Sequence, residues 1–450
     1  MQYISTNENS PAVDFISALF RGQAPDRGLY MPESIPVLGP DEIRSMKSKS
    51  YPEIAEIILS RYLAGHIAPE RLSALCRDAY NFDVPVESAE DRLYILRLDR
   101  GPTASFKDFA AAMMARLMSE FRDKGGKRLV VLTATSGDTG GAVARAFHGI
   151  PGIDVIVLFP PGEVSGRQRR QMTTLSGNVT AIAVDGKFDH CQALVKNAFA
   201  DPVLGSIDLT SANSINIGRL LPQSVYYAYA YSRIADHPEP MVVSVPSGNF
   251  GDMMGALLAR RMGIPISRVV VATNSNDEVP QYLTTGVYRK IDPSRVCISN
   301  AMNVGHPSNL ARVVSLYGGR MDETGAVIRP PDMDAMRRDL FAISVSDAET
   351  RDSIREAWTD GRILLEPHGA VGWVGLRRFL ELRKNGGRPL CVAVETAHPA
   401  KFPEEIERLL GFAPEIPPSL AGLDSGSESW QDMPADYEAF RAFLAERYAA

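Results

Sequence analysis

Between residues 128 and 199 the chain alternates short, apolar, β-branched segments with amphipathic ones, and nothing else in it constrains the fold as much. Residues 128–135, 154–159 and 179–184 read as buried strands, and 139–148, 165–175 and 188–199 as helices. Strands joined through helices need crossover connections, so the pattern predicts parallel sheet covered by helices on both faces. A second series begins at 241–245, includes 268–272 and ends at 391–395; a long Tyr- and Leu-rich helix over 216–234 precedes it. The expected fold class is α/β, with two open, mostly parallel, doubly wound sheets and a mainly helical N-terminal region. The expected units are residues 1–95, helical and packed on the larger unit, then 96–237, a smaller α/β unit. The larger α/β unit takes 238–415, after a break in the polar, Pro-containing stretch 236–240. Residues 416–450 read as a surface linker and a terminal helix, because 413–433 is rich in Pro, Ser, Gly and Asp.

The charge pattern excludes several functions. A net charge of −6 with scattered basic residues argues against nucleic acid as a partner, and Arg167-Gln168-Arg169-Arg170 reads as a solvated helix face. No apolar run approaches a membrane span, and residues 1–10 lack the basic flank and apolar core of a secretory signal. Cys76, Cys191, Cys297 and Cys391 are far apart and read as reduced thiols of a cytoplasmic protein. The histidines form no His-x-x-x-His pair, so no metal is expected.

In open α/β sheets ligands bind beyond the carboxyl ends of the strands, where three informative loops fall. Thr135-Ser136-Gly137-Asp138-Thr139-Gly140-Gly141 offers hydroxyls, amides and a helix start, a cradle for a carboxylate; it also reads as a turn capped by Asp138 or Thr139. Pro246-Ser247-Gly248-Asn249-Phe250-Gly251-Asp252 has two glycines three apart, which let backbone approach a phosphate. It matches neither the Walker A loop nor the dinucleotide fingerprint, which argues against a nucleotide-binding oxidoreductase; Asp252 is expected to cap helix 253–262. Thr396 ends an apolar strand at the edge of the same cleft. Asn213, Ser214 and Arg219 combine an amide, a hydroxyl and a guanidinium able to grip two phosphate oxygens, or else a helix cap and one surface arginine. His368 reads as structural. Lys107 follows natural caps at Thr103 and Ser105, in the first turn of an amphipathic helix and next to two phenylalanines. A cation is disfavoured at the positive end of a helix dipole, which suits an amine that attacks carbonyls.

Taken in order, these motifs carry a resemblance. Ser-Phe-Lys-Asp at Lys107, the 135–140 loop and Ser-Gly-Asn-Phe-Gly resemble the tryptophan-synthase-β-like group of pyridoxal-phosphate enzymes. With Ala-Pro-Asp-Arg-Gly-Leu-Tyr-Met-Pro-Glu (24–33), Asn-Ser-Ile-Asn and Glu-Thr-Ala-His-Pro-Ala-Lys-Phe, they are similar to threonine synthases, in the longer subgroup of bacteria and fungi, over residues 1 to about 410. The resemblance implies the fold-type II architecture and pyridoxal 5'-phosphate carried on Lys107. It implies that Gly248, Asn249, Phe250 and Gly251, with Asp252, hold the cofactor phosphate, that Thr396 faces the pyridine nitrogen, and that Asp138 lies near the ring hydroxyl. Ser136, Gly137 and Thr139, with Thr135, would take the substrate α-carboxylate, and Asn213, Ser214 and Arg219 its phosphate. The implied substrate is O-phospho-L-homoserine, converted with water to L-threonine and phosphate, with no obligate protein partner. A dehydratase or β-replacement lyase of the same fold is the alternative.

Overall fold

The computed structural model describes residues 1–123, 126–383 and 387–448. Two sheets organise the chain. One has five strands in the order Gln431–Pro434, Val179–Asp185, Ile153–Phe159, Leu129–Ala134 and Asp208–Ser211, all parallel. The other has six, in the order Leu340–Ser344, Ile266–Thr273, Met241–Pro246, Leu390–Glu395, Leu93–Arg97 and Val86–Glu90, parallel except for the last pair. Successive side chains of Leu129–Ala134 serve opposite faces: Leu129 and Val131 join one core, Val130 and Leu132 another. The first of these cores is continuous with one face of the six-stranded sheet and with Tyr3, Phe15, Ile54 and Ile58 of the N-terminal region. Tyr51 reaches into it, its ring 5.2 Å from that of Phe109 in helix Lys107–Phe121.

Three departures from the sequence reading matter for the site. The expected boundary at residue 95 falls inside strand Leu93–Arg97, which pairs with Leu390–Glu395 in the larger sheet. The N-terminal stretch therefore supplies strands as well as helices, because Leu93, Ile95 and Leu96 find buried partners only there. Next, the helix expected over 216–234 is divided into Ile217–Leu220, a 3-10 turn Leu221–Ser224, and Val225–Ile234. Pro222 cannot donate a helical hydrogen bond and clashes with the preceding turn. The turn lies so close to helix Gly251–Arg261 that a Cβ at Gly255 would meet Gln223 backbone at 2.8 Å. Finally, the tail carries the expected terminal helix, but the stretch ahead of it is more than a linker. Gln431–Pro434 adds a parallel edge strand beside Val179–Asp185, and helix Tyr437–Tyr448 buries Phe440 and Leu444 completely. The basic run near 167 anchors that tail: Arg169 and Arg170 pair with Glu428, and Arg167 with Asp424.

Candidate active site

Lys107 is the first residue of its helix, set there by a turn rather than by a hydroxyl cap. Ala104 has a left-handed backbone (φ 54°), and its carbonyl accepts from the His398 amide. Thr103 donates its amide and hydroxyl to the buried Asp108 carboxylate, at 2.8 and 2.6 Å, so it does not cap the helix; the Ser105 hydroxyl is buried without a partner. Phe106 donates its amide to the Thr396 carbonyl, 2.9 Å away. This bond fixes Thr396, at the end of a central strand, beside the lysine. Burial lowers the Lys107 amine to about 8; Lys401 and Arg219 add to the effect and Asp138 opposes it. The ammonium lies 4.3 Å over the Phe106 ring.

The 135–141 loop is closed by Thr135, whose hydroxyl accepts from the Gly137 and Gly140 amides, both at 2.9 Å, and donates to the Gly137 carbonyl. Thr135 and the Gly137 amide are thus engaged within the loop, leaving Ser136 and Thr139 turned to the cavity. Gly137 has a φ of 140°, and a Cβ there would strike Gln168 at 2.5 Å. Neither Asp138 nor Thr139 caps helix Asp138–Phe147; Gly137 is the cap residue, without a side-chain bond. The Asp138 carboxylate is buried, 3.9 Å from Lys107 Nζ and 2.6 Å from Lys401 Nζ, and accepts from Gln168 Nε2 at 3.0 Å. Burial alone would raise this carboxyl, but Lys401, Lys107 and His368 hold it well below the usual carboxylate range.

The 246–252 loop turns through Phe250, a non-glycine residue with φ 62°, into helix Gly251–Arg261. A Cβ at Gly248 would meet Met302 Cα at 2.8 Å, so close packing against residues 301–302 demands that glycine. At Gly251 the nearest atoms would be Gln223 Nε2 at 3.4 Å and Ser214 Cβ at 3.5 Å, ordinary contacts that leave room for a methyl group. Asn249 donates to Ser214 Oγ at 2.6 Å and accepts from the Ser308 amide at 2.6 Å. Asp252 does not cap the helix: its Oδ1 accepts from the Tyr226 and Tyr227 hydroxyls, its Oδ2 is buried without a partner, and burial raises its pKa to about 6.

Asn213 and Ser214 are not helix caps either; Asn216 caps Ile217–Leu220. Asn213 instead pairs with both backbone groups of Ala134, at 3.1 and 2.7 Å, extending the end of that strand. Arg219 is buried, donates to the Ala212 carbonyl at 2.6 Å and leaves Nε unpartnered, and burial lowers its pKa to about 10. His368, also on the cavity wall, has both ring nitrogens engaged: Nδ1 lies 2.5 Å from Glu366, and Nε2 accepts from the Ala301 amide.

One cavity of about 140 Å³ brings these groups together, with Lys107, Ser136, Asp138, Thr139, Thr396, Gly248–Asp252 and Arg219 on its wall. Residues the sequence reading did not single out stand behind this wall: Lys401 and Gln168 hold Asp138, Tyr226 and Tyr227 hold Asp252, and the fully buried Arg312 holds the Ser214 backbone. Arg312 holds the carbonyls of Tyr30, Ser214 and Ile215 and the Asn309 amide oxygen. A Lys401 signal was present, a lysine inside the compact run Ala-His-Pro-Ala-Lys-Phe-Pro. Pyridoxal phosphate fits this chemistry. A partly neutral amine, an uncapped helix start for a phosphate and a neutral hydroxyl at Thr396 converge, and the Nε of a buried guanidinium lacks an acceptor.

Comparison with known proteins agrees with this assembly. Residues 82–396 match the family model described as "Pyridoxal-phosphate dependent enzyme", which makes the chain a pyridoxal-phosphate enzyme of the fold-type II class. Residues 2–80 match "Threonine synthase N terminus" and 369–444 match "Threonine synthase, C-terminal". A threonine synthase of Haemophilus influenzae is 39% identical over 437 residues, covering 96% of each chain. The crystal structure of threonine synthase from Escherichia coli superposes with a TM-score of 0.90 at 36% identity, over 99% of this chain and 100% of that one. The pyridoxal-phosphate-bound threonine synthase of Brucella melitensis gives 0.91 at 34% identity over the full length of both. The chain belongs to the threonine synthase family.

Proposed function

We propose that the cavity converts O-phospho-L-homoserine and water into L-threonine and phosphate, with Lys107 as the cofactor-bearing residue and base. The observation that carries this is a lysine amine lowered to about 8 in the same cavity as a buried guanidinium without a full set of acceptors. When bound, the cofactor supplies a conjugated system that spreads the negative charge developing on the substrate. The chain does the rest. The start of helix Asp138–Phe147, with Ser136 and Thr139, orients the α-carboxylate. Lys107 Nζ takes the Cα proton, and its lowered pKa leaves free amine near neutral pH. A second proton leaves Cβ and phosphate departs from Cγ; Cγ then takes up a proton to become the methyl group, water adds its hydroxyl at Cβ, and Cα regains a proton. Arg219 and Ser214 stabilise the departing phosphate as its charge grows. The start of helix Gly251–Arg261 and the Asn249 side chain receive the cofactor phosphate, and Thr396 offers the ring a neutral hydroxyl rather than a charge.

A dehydratase or β-replacement lyase would leave Arg219 unexplained, because its substrate carries no phosphate. Assaying phosphate release from O-phosphohomoserine beside ammonia release from threonine decides between them. Ammonia release alone would overturn the proposal. The substrate is a small molecule, and we place the chain in the cytoplasm acting without an obligate protein partner. Four free, buried cysteines support that placement, and among the described residues no helix is long and apolar enough to cross a membrane.

A further inference from the structure

Lys401 has so far had no role, although its side chain is fully buried. Its Nζ lies 2.6 Å from Asp138 Oδ1 and donates to the Thr103 carbonyl at 3.0 Å. The other Asp138 oxygen faces Lys107 Nζ at 3.9 Å, and Gln168 Nε2 steadies Oδ1 from a third element. One carboxylate is therefore shared by two lysines, and it sits nearer to the one that does no chemistry. The charged groups facing the Lys107 amine are Asp138 and Asp252, which favour its ammonium form, and Lys401 and Arg219, which oppose it. Asp138 in turn faces Lys401, Lys107 and His368. Without the Lys401 charge, Asp138 would keep Lys107 as its one close cationic partner, and a buried carboxylate in that position holds an ammonium protonated.

We propose that Lys401 is a positioning residue: by drawing Asp138 into its own ion pair, it keeps the Lys107 amine free to act as nucleophile and base. The inference rests on Lys107 being the cofactor-bearing amine and deepens that reading. It makes Asp138 the means by which loss of Lys401 is felt, so that removing Lys401 alone burdens the Lys107 amine with a proton and removing Asp138 as well relieves it.

The test uses the full-length chain freed of cofactor. The acetylation rate of Lys107 by acetic anhydride is followed against pH by mass spectrometry, with exposed Lys47 as internal reference. Lys401→Met is expected to move the Lys107 midpoint upward by about one pH unit, roughly a tenfold loss of free amine at a given pH below it. Lys401→Arg should keep the wild-type midpoint, and Asp138→Asn/Lys401→Met should bring it back to the wild-type value or below, because Asp138 acts on Lys107 more strongly than Lys401 does. An unchanged midpoint in Lys401→Met, or a rise that the second substitution does not reverse, overturns the proposal. Should Lys401→Met fail to fold, the double variant decides: a midpoint at or below that of wild type supports the paired role, and one above it overturns it. Borohydride reduction of the wild-type holoenzyme separates this from the underlying assignment. An adduct on a peptide other than that of Lys107 defeats the functional reading, whatever the midpoints show.

Discussion

Arg219 Nη1 lies 2.6 Å from the carbonyl oxygen of Ala212, while its Nε, buried in the same cavity wall, faces no acceptor. The guanidinium is held by a neutral carbonyl, with the Asp108 carboxylate acting on it only from beyond ion-pair contact, and burial outweighs that charge and lowers its pKa to about 10. Such a group gains most from an incoming dianion. Arg219→Ala is expected to raise the dissociation constant of O-phosphohomoserine roughly 10- to 100-fold, the worth of a buried charged hydrogen bond. Cofactor affinity should change by less than about threefold, since a different loop receives that phosphate. Titrating each ligand separately checks this, and equal losses of both would remove Arg219 from the substrate site.

Lys107→Ala should abolish turnover and leave the cofactor reversibly bound. Dialysis would then strip the cofactor, and borohydride would leave no reduced adduct on the peptide containing residue 107. The fold should survive, because the Lys107 side chain packs against Phe106 at the cavity edge and is not part of the core. Residual threonine formation at the wild-type rate would contradict the assignment.

The alternation of strands and helices was readable because the strands Leu129–Ala134 and Ile153–Phe159 are buried on both faces along their whole length, as their continuous apolar runs require, whereas the helices between them keep a polar side. The loops were readable because glycine, proline and hydroxyl residues mark where backbone must turn or bind. What escaped was set by distant partners. Nothing local in Asp252 announces Tyr226 and Tyr227, which meet it only because Pro222 breaks the preceding helix and the turn packs on Gly255. Nothing in the polar tail announces an edge strand; residues 431–434 pair there because Val179–Asp185 has a free edge and Phe440 needs burial. Lys401 and Asp138 stand 263 positions apart in the sequence, and only their 2.6 Å contact shows them to be a pair.

The two glycines of the 246–252 loop should separate cleanly. A methyl at Gly248 would press on the backbone of Met302 at 2.8 Å and the Ala301 carbonyl at 3.0 Å, neither of which can swing aside. Gly248→Ala should cost about 1–3 kcal/mol of stability, a fall of several degrees in melting temperature even without cofactor. At Gly251 the nearest atoms would lie at ordinary contact distances, 3.4 Å or more. Gly251→Ala should therefore melt like wild type when free of cofactor and lose the stabilisation that added pyridoxal phosphate gives. Scanning both variants with and without cofactor checks this. A cofactor response in Gly251→Ala equal to wild type would mean that this face of the loop does not meet the phosphate.

Asp252 gives the molecule a pH dependence of definite sign. Burial raises its pKa from 3.8 to about 6, despite the two tyrosine hydroxyls that favour the carboxylate. Between those values the folded chain keeps a proton that the unfolded chain has released. The folded state then binds more protons, and stability falls as pH rises through that window, levelling off above about 6. The full loss is on the order of 3 kcal/mol. Asp252→Asn cannot ionise, and its amide oxygen can still accept from Tyr226 or Tyr227. The difference in melting temperature, variant minus wild type, should thus be more positive at pH 7 than at pH 4, measured on cofactor-free protein. A difference that stays flat across that range would mean the carboxylate is already ionised at pH 4, because the tyrosines and Lys107 outweigh its burial.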